Sequence, residues 1–358
     1  MTPLRCAVVG TGHLGSIHAR LLNSIEQVEL VGVVDPNPES RKRVAEQCQT
    51  QAFDHHRQLR GKLDAAVVAT PTQFHYGVAA DLLQDNVHLL IEKPVTSTVA
   101  EANGLIAMAK KRQRILQVGH VERFNPAWKA AAPQLEQPKY IEALRAGPYT
   151  FRSTDVSVVL DLMIHDLDLI LSLVDSEVQQ VDALGLTVFG PHEDMAHAQL
   201  KFANGCIANV NASRVNDEPR RAMKVFSATG FAEVDFGQCQ TRIVRPGPQL
   251  LAGELDMSTV PADQRQQLQA SMFETILPCE QATLERGNAI LEEQQEFVAA
   301  IRDGSRVRVT GPDGRDALSV AQQILNSIQS HRWNGTATGP IGSHLLPAPI
   351  KPHQERAA

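Results

Sequence analysis

Of the four titratable groups that interrupt an otherwise apolar run from Val158 to Leu171, three stand at helical spacing: Asp161, His165 and Asp168. At about 100° per residue, a helix would gather these three and Ser172 within an arc of roughly 60°, with Asp166 pointing elsewhere. A solvated face would be wider and richer in Lys, Glu and Gln. So narrow a polar stripe implies a cavity wall or buried polar partners. His165, with a reference pKa of about 6.5, suits the role of general base. Asp161, one turn earlier, would orient it or hold a substrate hydroxyl, and its charge would raise the imidazole pKa. Lys93, in "IEKP", would stabilise a developing alkoxide and lower that pKa. A base, a cation and close positioning are what oxidation of a secondary alcohol requires of a protein. Asp168 reads as a structural hydrogen-bonding group. Two other readings stay open: a His–Asp pair satisfying itself in a core, and a metal held by Asp161, His165 and Asp168. No second His or Cys cluster at ligand spacing accompanies them, so no metal is expected.

A hydride needs an acceptor, and the chain begins with a place to hold one. "GTGHLG", comprising Gly10, Thr11, Gly12, His13, Leu14 and Gly15, follows a strand-like run and opens a helix. Asp35 ends the next apolar run, twenty residues beyond Gly15. This is the context in which glycines admit a pyrophosphate to a helix N-terminus and an acid binds the adenosine ribose. Asp35 would repel a 2′-phosphate, which favours NAD over NADP, although Arg41 and Arg43 lie nearby in sequence. Two later strand ends add Thr70, Pro71 and His75, and Glu92, Lys93 and Pro94. Ligands of an open parallel sheet sit outside such ends.

These residues need a scaffold, and the apolar pattern supplies two. Residues 1–120 alternate short apolar runs with helices, which predicts an α/β Rossmann domain with a doubly wound parallel sheet. Residues 121–335 predict a C-terminal α+β domain with an open, mainly antiparallel sheet. Within it Ala196, Ala198, Leu200 and Phe202 share one side before an Asn204-Gly205 hairpin, and Thr229-Gly230 repeats the device. The opposite side, with His197, Gln199, Lys201, Asn209 and Asn211, suits a site wall or a subunit interface. Residues 336–358 read as an extended or mobile tail.

A net charge of −6 without long basic runs argues against nucleic acid and anionic membranes as partners. No apolar stretch has spanning length, and no secretory leader is evident, so a cytoplasmic protein is expected. The five scattered cysteines lack a CxxC and predict neither disulfides nor zinc.

In order and spacing, GxGxxG with Asp35, "ATPTQFH", "EKP", "VGH", the Asp-x-x-x-His of Asp161 and His165, and "VTGPDGRDAL" together resemble the glucose-fructose oxidoreductase, inositol dehydrogenase and rhizopine-catabolism family (Gfo/Idh/MocA). The resemblance implies an NAD(P)-dependent dehydrogenase of sugars or cyclitols, assembled as a homodimer or homotetramer through its C-terminal sheet. "VGHVERFNPA", "RAGPYTFRSTDVSVVLDLMIHDLD" and "LVDSEV" resemble the UDP-N-acetylglucosamine 3-dehydrogenase branch, with Ser157 where a glycine would be expected. That implies oxidation at C3 of a UDP-N-acetyl sugar. Arg123, Asn125 and Arg152, with Arg145 and Tyr149 nearby, become candidates for holding the substrate diphosphate. A free-sugar or inositol dehydrogenase, or a non-catalytic NAD-binding regulator, is the alternative on this scaffold.

Overall fold

The computed structural model describes residues 2–331 except 152–155, 190 and 257. Arg152 and the 336–358 tail therefore lie outside the described residues. The alternating pattern forms β1 (Leu4–Val9), β2 (Val28–Val34), β3 (Gln51–Phe53), β4 (Ala65–Val68), β5 (His88–Glu92) and β6 (Leu116–Gly119). They make a wholly parallel sheet in the order β3-β2-β1-β4-β5-β6. Strand order reverses between β1 and β4, opening a crevice at the carboxyl ends. The edge strand β3 is only three residues long, too short to carry a period-two signal.

Helices α1 (His13–Leu22) and α2 (Pro38–Cys48) cover one face of the sheet; α3 (His75–Gln84) and α4 (Val99–Arg112) cover the other. Their starts are chemically marked. Asn37 caps α2 by accepting from the Glu39 and Ser40 amides, and Thr98 with Glu101 forms a reciprocal capping box on α4.

After α5 (Pro126–Ala131), which gives way to a 3-10 turn at Ala132–Gln134, comes β7 (Pro138–Ala146). A π-helical turn, Val159–Met163, leads into α6 (Ile164–Leu173). Seven more strands follow: β8 (Val178–Leu186), β9 (Met195–Phe202), β10 (Ile207–Ser213), β11 (Arg220–Ser227), β12 (Gly230–Asp235), β13 (Gln240–Val244) and β14 (Cys279–Thr283). With β7 they form an eight-stranded sheet ordered β14-β13-β12-β11-β7-β10-β9-β8. Its pairings are antiparallel except β7 with β10. The predicted alternation holds: Ala196, Ala198, Leu200 and Phe202 face a buried core, and Gly205 takes the left-handed φ of 86° that its hairpin needs.

Short helices α7 (Pro248–Leu251) and α8 (Ala262–Ala270) precede α9 (Ala289–Asp303) and α10 (Gly311–Ser330). Along α10, Val320, Ala321, Ile324 and Ile328 pack with Leu167 and Ile170 of α6 over the second sheet. Helix α9 instead returns to the first sheet, where Phe297 and Val298 join Val8, Ala19, Leu22 and Leu90. The linear division at residue 120 does not convey that return. Among the described residues, no helix is long and apolar enough to cross a membrane.

Candidate active site

Gly10 has a φ of 97°, and a methyl group there would lie 2.5 Å from the Ala69 carbonyl oxygen. A side chain on Gly15 would run into the Gly10 carbonyl, while Gly12 faces open space. The first glycine thus makes the turn, the second leaves the backbone approachable, and the third lets helix and strand close up. Gly12, His13 and Leu14 are exposed at the start of α1. Asp35 is pinned at the end of β2: its carboxylate accepts from the Thr11 and Asn37 amides, each at 2.8 Å. These features fit a nicotinamide dinucleotide, with the glycine turn for its pyrophosphate and Asp35 for a ribose diol.

The polar stripe faces the carboxyl edge of β5 and β6 rung by rung. Lys93 Nζ donates to the Asp161 carbonyl oxygen at 2.6 Å and lies 3.4 Å from its Oδ1. His120, just past β6, meets His165 edge to face with ring centroids 6.3 Å apart. Arg123 grips Asp168 with Nε at 2.6 Å and a terminal nitrogen at 2.9 Å. Asp166 indeed points elsewhere, into a buried triad with Arg145 and Glu122. The segment starts with a π turn, so the even wheel of an α-helix does not describe it. Ser157 serves that turn, its hydroxyl accepting from the Val159 amide. π turns recur at functional sites.

Burial pushes His165 well below its ordinary pKa, and Lys93, Arg145, His120 and Arg221 push the same way. The downward effect expected of Lys93 is present; the upward one expected of Asp161 does not prevail against burial and the surrounding charges. His165 Nδ1 is sealed without a hydrogen-bond partner, yet the residue as a whole keeps partial exposure.

Several assigned side chains turn out to have structural employment. Arg123 has its guanidinium occupied by Asp168, leaving no free fork for a diphosphate. Asn125 caps α5 through Ala127 N and donates to Glu122 and to the Phe236 carbonyl. Arg145 is enclosed by Asp166 and Glu122; burial disfavours its charge, but the two carboxylates outweigh burial and hold its pKa above the ordinary value. His75 is buried with its ring nitrogens 2.7 and 2.9 Å from the Thr70 and Pro94 carbonyls, and because burial lowers its pKa the neutral ring donates to one of the two. The Glu92 carboxylate is spent on His18 and on the Lys93 amide. Thr70 keeps a buried hydroxyl without a partner, and Pro71 is exposed.

His120, His18, Glu293 and Gln294 were not among the sequence candidates. The signal for the last three was a polar residue on an apolar helix face. A surface cleft of about 730 Å³ lies between α6 and α10 and shares Arg123 with the predicted site residues. Among the described residues, no three His, Cys, Asp or Glu side chains are grouped so as to hold a metal ion.

Comparison with known proteins agrees with this fold. Residues 4–120 match the model of an oxidoreductase family with an NAD-binding Rossmann fold, and residues 133–233 match the Gfo/Idh/MocA C-terminal domain. UDP-N-acetylglucosamine 3-dehydrogenase from Acidithiobacillus ferrooxidans is 35% identical over 331 residues, 92% of this chain and 99% of that protein. A solved structure of that enzyme superposes with a TM-score of 0.80, covering 92% of this chain and 98% of the other. The scyllo-inositol 2-dehydrogenase (NAD(+)) of Bacillus subtilis is 28% identical over 232 residues, 60% of this chain and 68% of that protein. The chain belongs to the Gfo/Idh/MocA family of NAD-binding oxidoreductases.

Proposed function

We propose that the protein oxidises the C3 hydroxyl of UDP-N-acetylglucosamine or a near UDP-N-acetyl sugar, with NAD as hydride acceptor. The observation that carries the reading is the convergence of Lys93, Asp161 and His165 at the carboxyl edge of the sheet bearing the glycine turn. When bound, the cofactor supplies a nicotinamide carbon that accepts the carbinol hydride. His165 takes the hydroxyl proton. Its Nδ1 is sealed, so Nε2 is the receiving nitrogen, and its depressed pKa keeps the ring neutral and ready at pH 7. The Lys93 ammonium faces the oxygen as it gains negative charge, and Asp161 holds that ammonium in place. Burial of Lys93, whose side chain is 12% exposed, strengthens this effect over its value in water.

Asp35 supports NAD over NADP. Arg41 is turned onto the Asp35 and Pro36 carbonyls, and Arg43 onto Ser40, rather than grouped as a 2′-phosphate cradle. With Arg123, Asn125 and Arg145 employed elsewhere, Arg152 remains our candidate for the diphosphate. The open face of the second sheet, where the tilted rings of Tyr140, Phe226 and Phe231 pack together and His197 pairs with Asn211, is the surface through which we propose a homodimer or homotetramer. Five free cysteines suit a reducing cytoplasm.

The test is purified protein with NAD and a panel of UDP-sugars, free sugars and cyclitols, followed by absorbance of the reduced cofactor. Turnover of UDP-N-acetyl sugars, lost in His165→Ala and Lys93→Ala while NAD still binds, is the outcome expected. Turnover of free inositol or glucose alone defeats the nucleotide-sugar assignment. Absence of turnover with NAD retained favours the regulator.

A further inference from the structure

Beneath Lys93 lies a chain of buried polar groups that the reaction scheme leaves unused. Gln294 of α9 places its amide nitrogen 2.8 Å from His18 Nδ1 and 3.1 Å from the His18 carbonyl oxygen. Both neighbours present lone pairs, so the two amide protons are spent there and Nδ1 is an acceptor. His18 therefore carries its proton on Nε2, which donates to Glu92 Oε1 at 2.6 Å. The second Glu92 oxygen accepts from the Lys93 amide at 3.2 Å. His18 and Gln294 are fully buried, and Glu92 nearly so.

Two further observations show that space is reserved for this chain. A methyl group on Gly119 would sit 3.2 Å from Glu92 Oε2, so the glycine beside Glu92 on β6 keeps room for the carboxylate. Gln117, also on β6, donates to the Glu293 carbonyl oxygen at 3.1 Å and anchors α9 next to Gln294.

Resting on the reading of Lys93 as the cation of the reaction, we propose that Gln294, His18 and Glu92 form a positioning relay. It holds the Lys93 backbone, and through it the ammonium, against Asp161. The relay explains why α9 returns to the first sheet: a helix from the distal part of the chain supports the lysine from below. None of the three touches substrate; they act through Lys93. The titratable groups around Glu92 are His18 on α1, Lys93 beside it, His75 on α3, His120 beyond β6, and Glu293 on α9. Of these, His18 supplies the direct side-chain hydrogen bond that keeps a buried Glu92 ionised.

The decisive variant is His18→Phe, which preserves ring volume and removes both hydrogen bonds. Glu92 then loses its side-chain donor, keeps only the Lys93 amide, and takes up a proton. Under the relay, kcat falls at least tenfold at neutral pH, the NAD dissociation constant stays within threefold, and kcat recovers at alkaline pH as Glu92 ionises again. A kcat and pH profile that coincide with wild type overturn the relay, whatever happens to the melting temperature. If His18→Phe does not fold, Gln294→Met tests the outer link: kcat drops by threefold or more under the relay, and an unchanged kcat overturns it. Should the wild-type protein turn over none of the sugars, the functional reading fails separately. The relay is then judged by crystal structures of wild type and Gln294→Met: displacement of Lys93 Nζ from the Asp161 carbonyl supports it, and an unmoved ammonium overturns it.

Discussion

Arg123 separates a ligand role from a structural one in a way that stability can measure. Its side chain is 11% exposed, that of Asp168 is 1%, and the two share a bidentate ion pair. Arg123→Met strands a buried carboxylate, which costs about 3–5 kcal/mol for a broken buried pair. Asp168→Leu costs less, about 1–3 kcal/mol, because Arg123 borders the cleft between α6 and α10 and its long stem can deliver the charge to water. The double variant, with neither charge left, falls within about 2 kcal/mol of wild type. The singles therefore do not add, and the cycle yields a coupling of at least about 2 kcal/mol. Urea unfolding followed by fluorescence of Trp128, which packs beside Phe236, reads the midpoints. Among folded variants the Michaelis constant for the UDP-sugar changes less than threefold. An Arg123→Met protein of wild-type stability whose Michaelis constant rises tenfold would refute the strut and return the arginine to the diphosphate.

Three further outcomes follow from the charges in the crevice. Because burial and then Lys93 depress His165, the acid limb of kcat/KM lies below about pH 6.5, and Lys93→Met, while slow, shifts it upward. A wild-type limb at or above that value contradicts a neutral, buried base. Asp35→Ser narrows the preference for NAD over NADP by roughly tenfold or more, read as a ratio of dissociation constants; an unchanged ratio removes Asp35 from the ribose. Glu293 is fully buried with both carboxylate oxygens unpartnered, and burial holds its pKa well above the ordinary value, with Glu92 adding to the rise. The folded state then keeps a proton that the unfolded chain releases above about pH 4.3, so this residue subtracts stability as pH rises from there toward its folded pKa. The slope is at most about 1.4 kcal/mol per pH unit. Glu293→Gln cannot ionise, so its advantage in urea midpoint over wild type grows between about pH 5 and about pH 7; a constant difference refutes the buried acid.

The residues legible from sequence were those whose reason is local. Gly10 and Gly15 are demanded by the turn they make, Asp35 by its place at the end of β2, and the β9–β10 hairpin by Asn204-Gly205 between alternating apolar residues. The Asp161–His165 stripe was visible because polar groups stood among leucines. What sequence could not apportion was partnership among charges. Sequence alone points Lys93 at the substrate oxygen and Arg123, with Arg145 nearby, at the diphosphate, yet the fold pairs them with Asp161, with Asp168, and with Asp166 and Glu122. The same test that singled out His165 also applies to α1 and α9. His18 stands beside Ala19 and one turn from Leu22 on the buried face of α1, and Glu293 and Gln294 sit one turn before Phe297 and Val298 on that of α9. A buried donor must find an acceptor, so an imidazole on one apolar face calls for a polar partner on some other. Here that partner lies 276 residues away, and only folding could say which of the chain's polar residues would arrive.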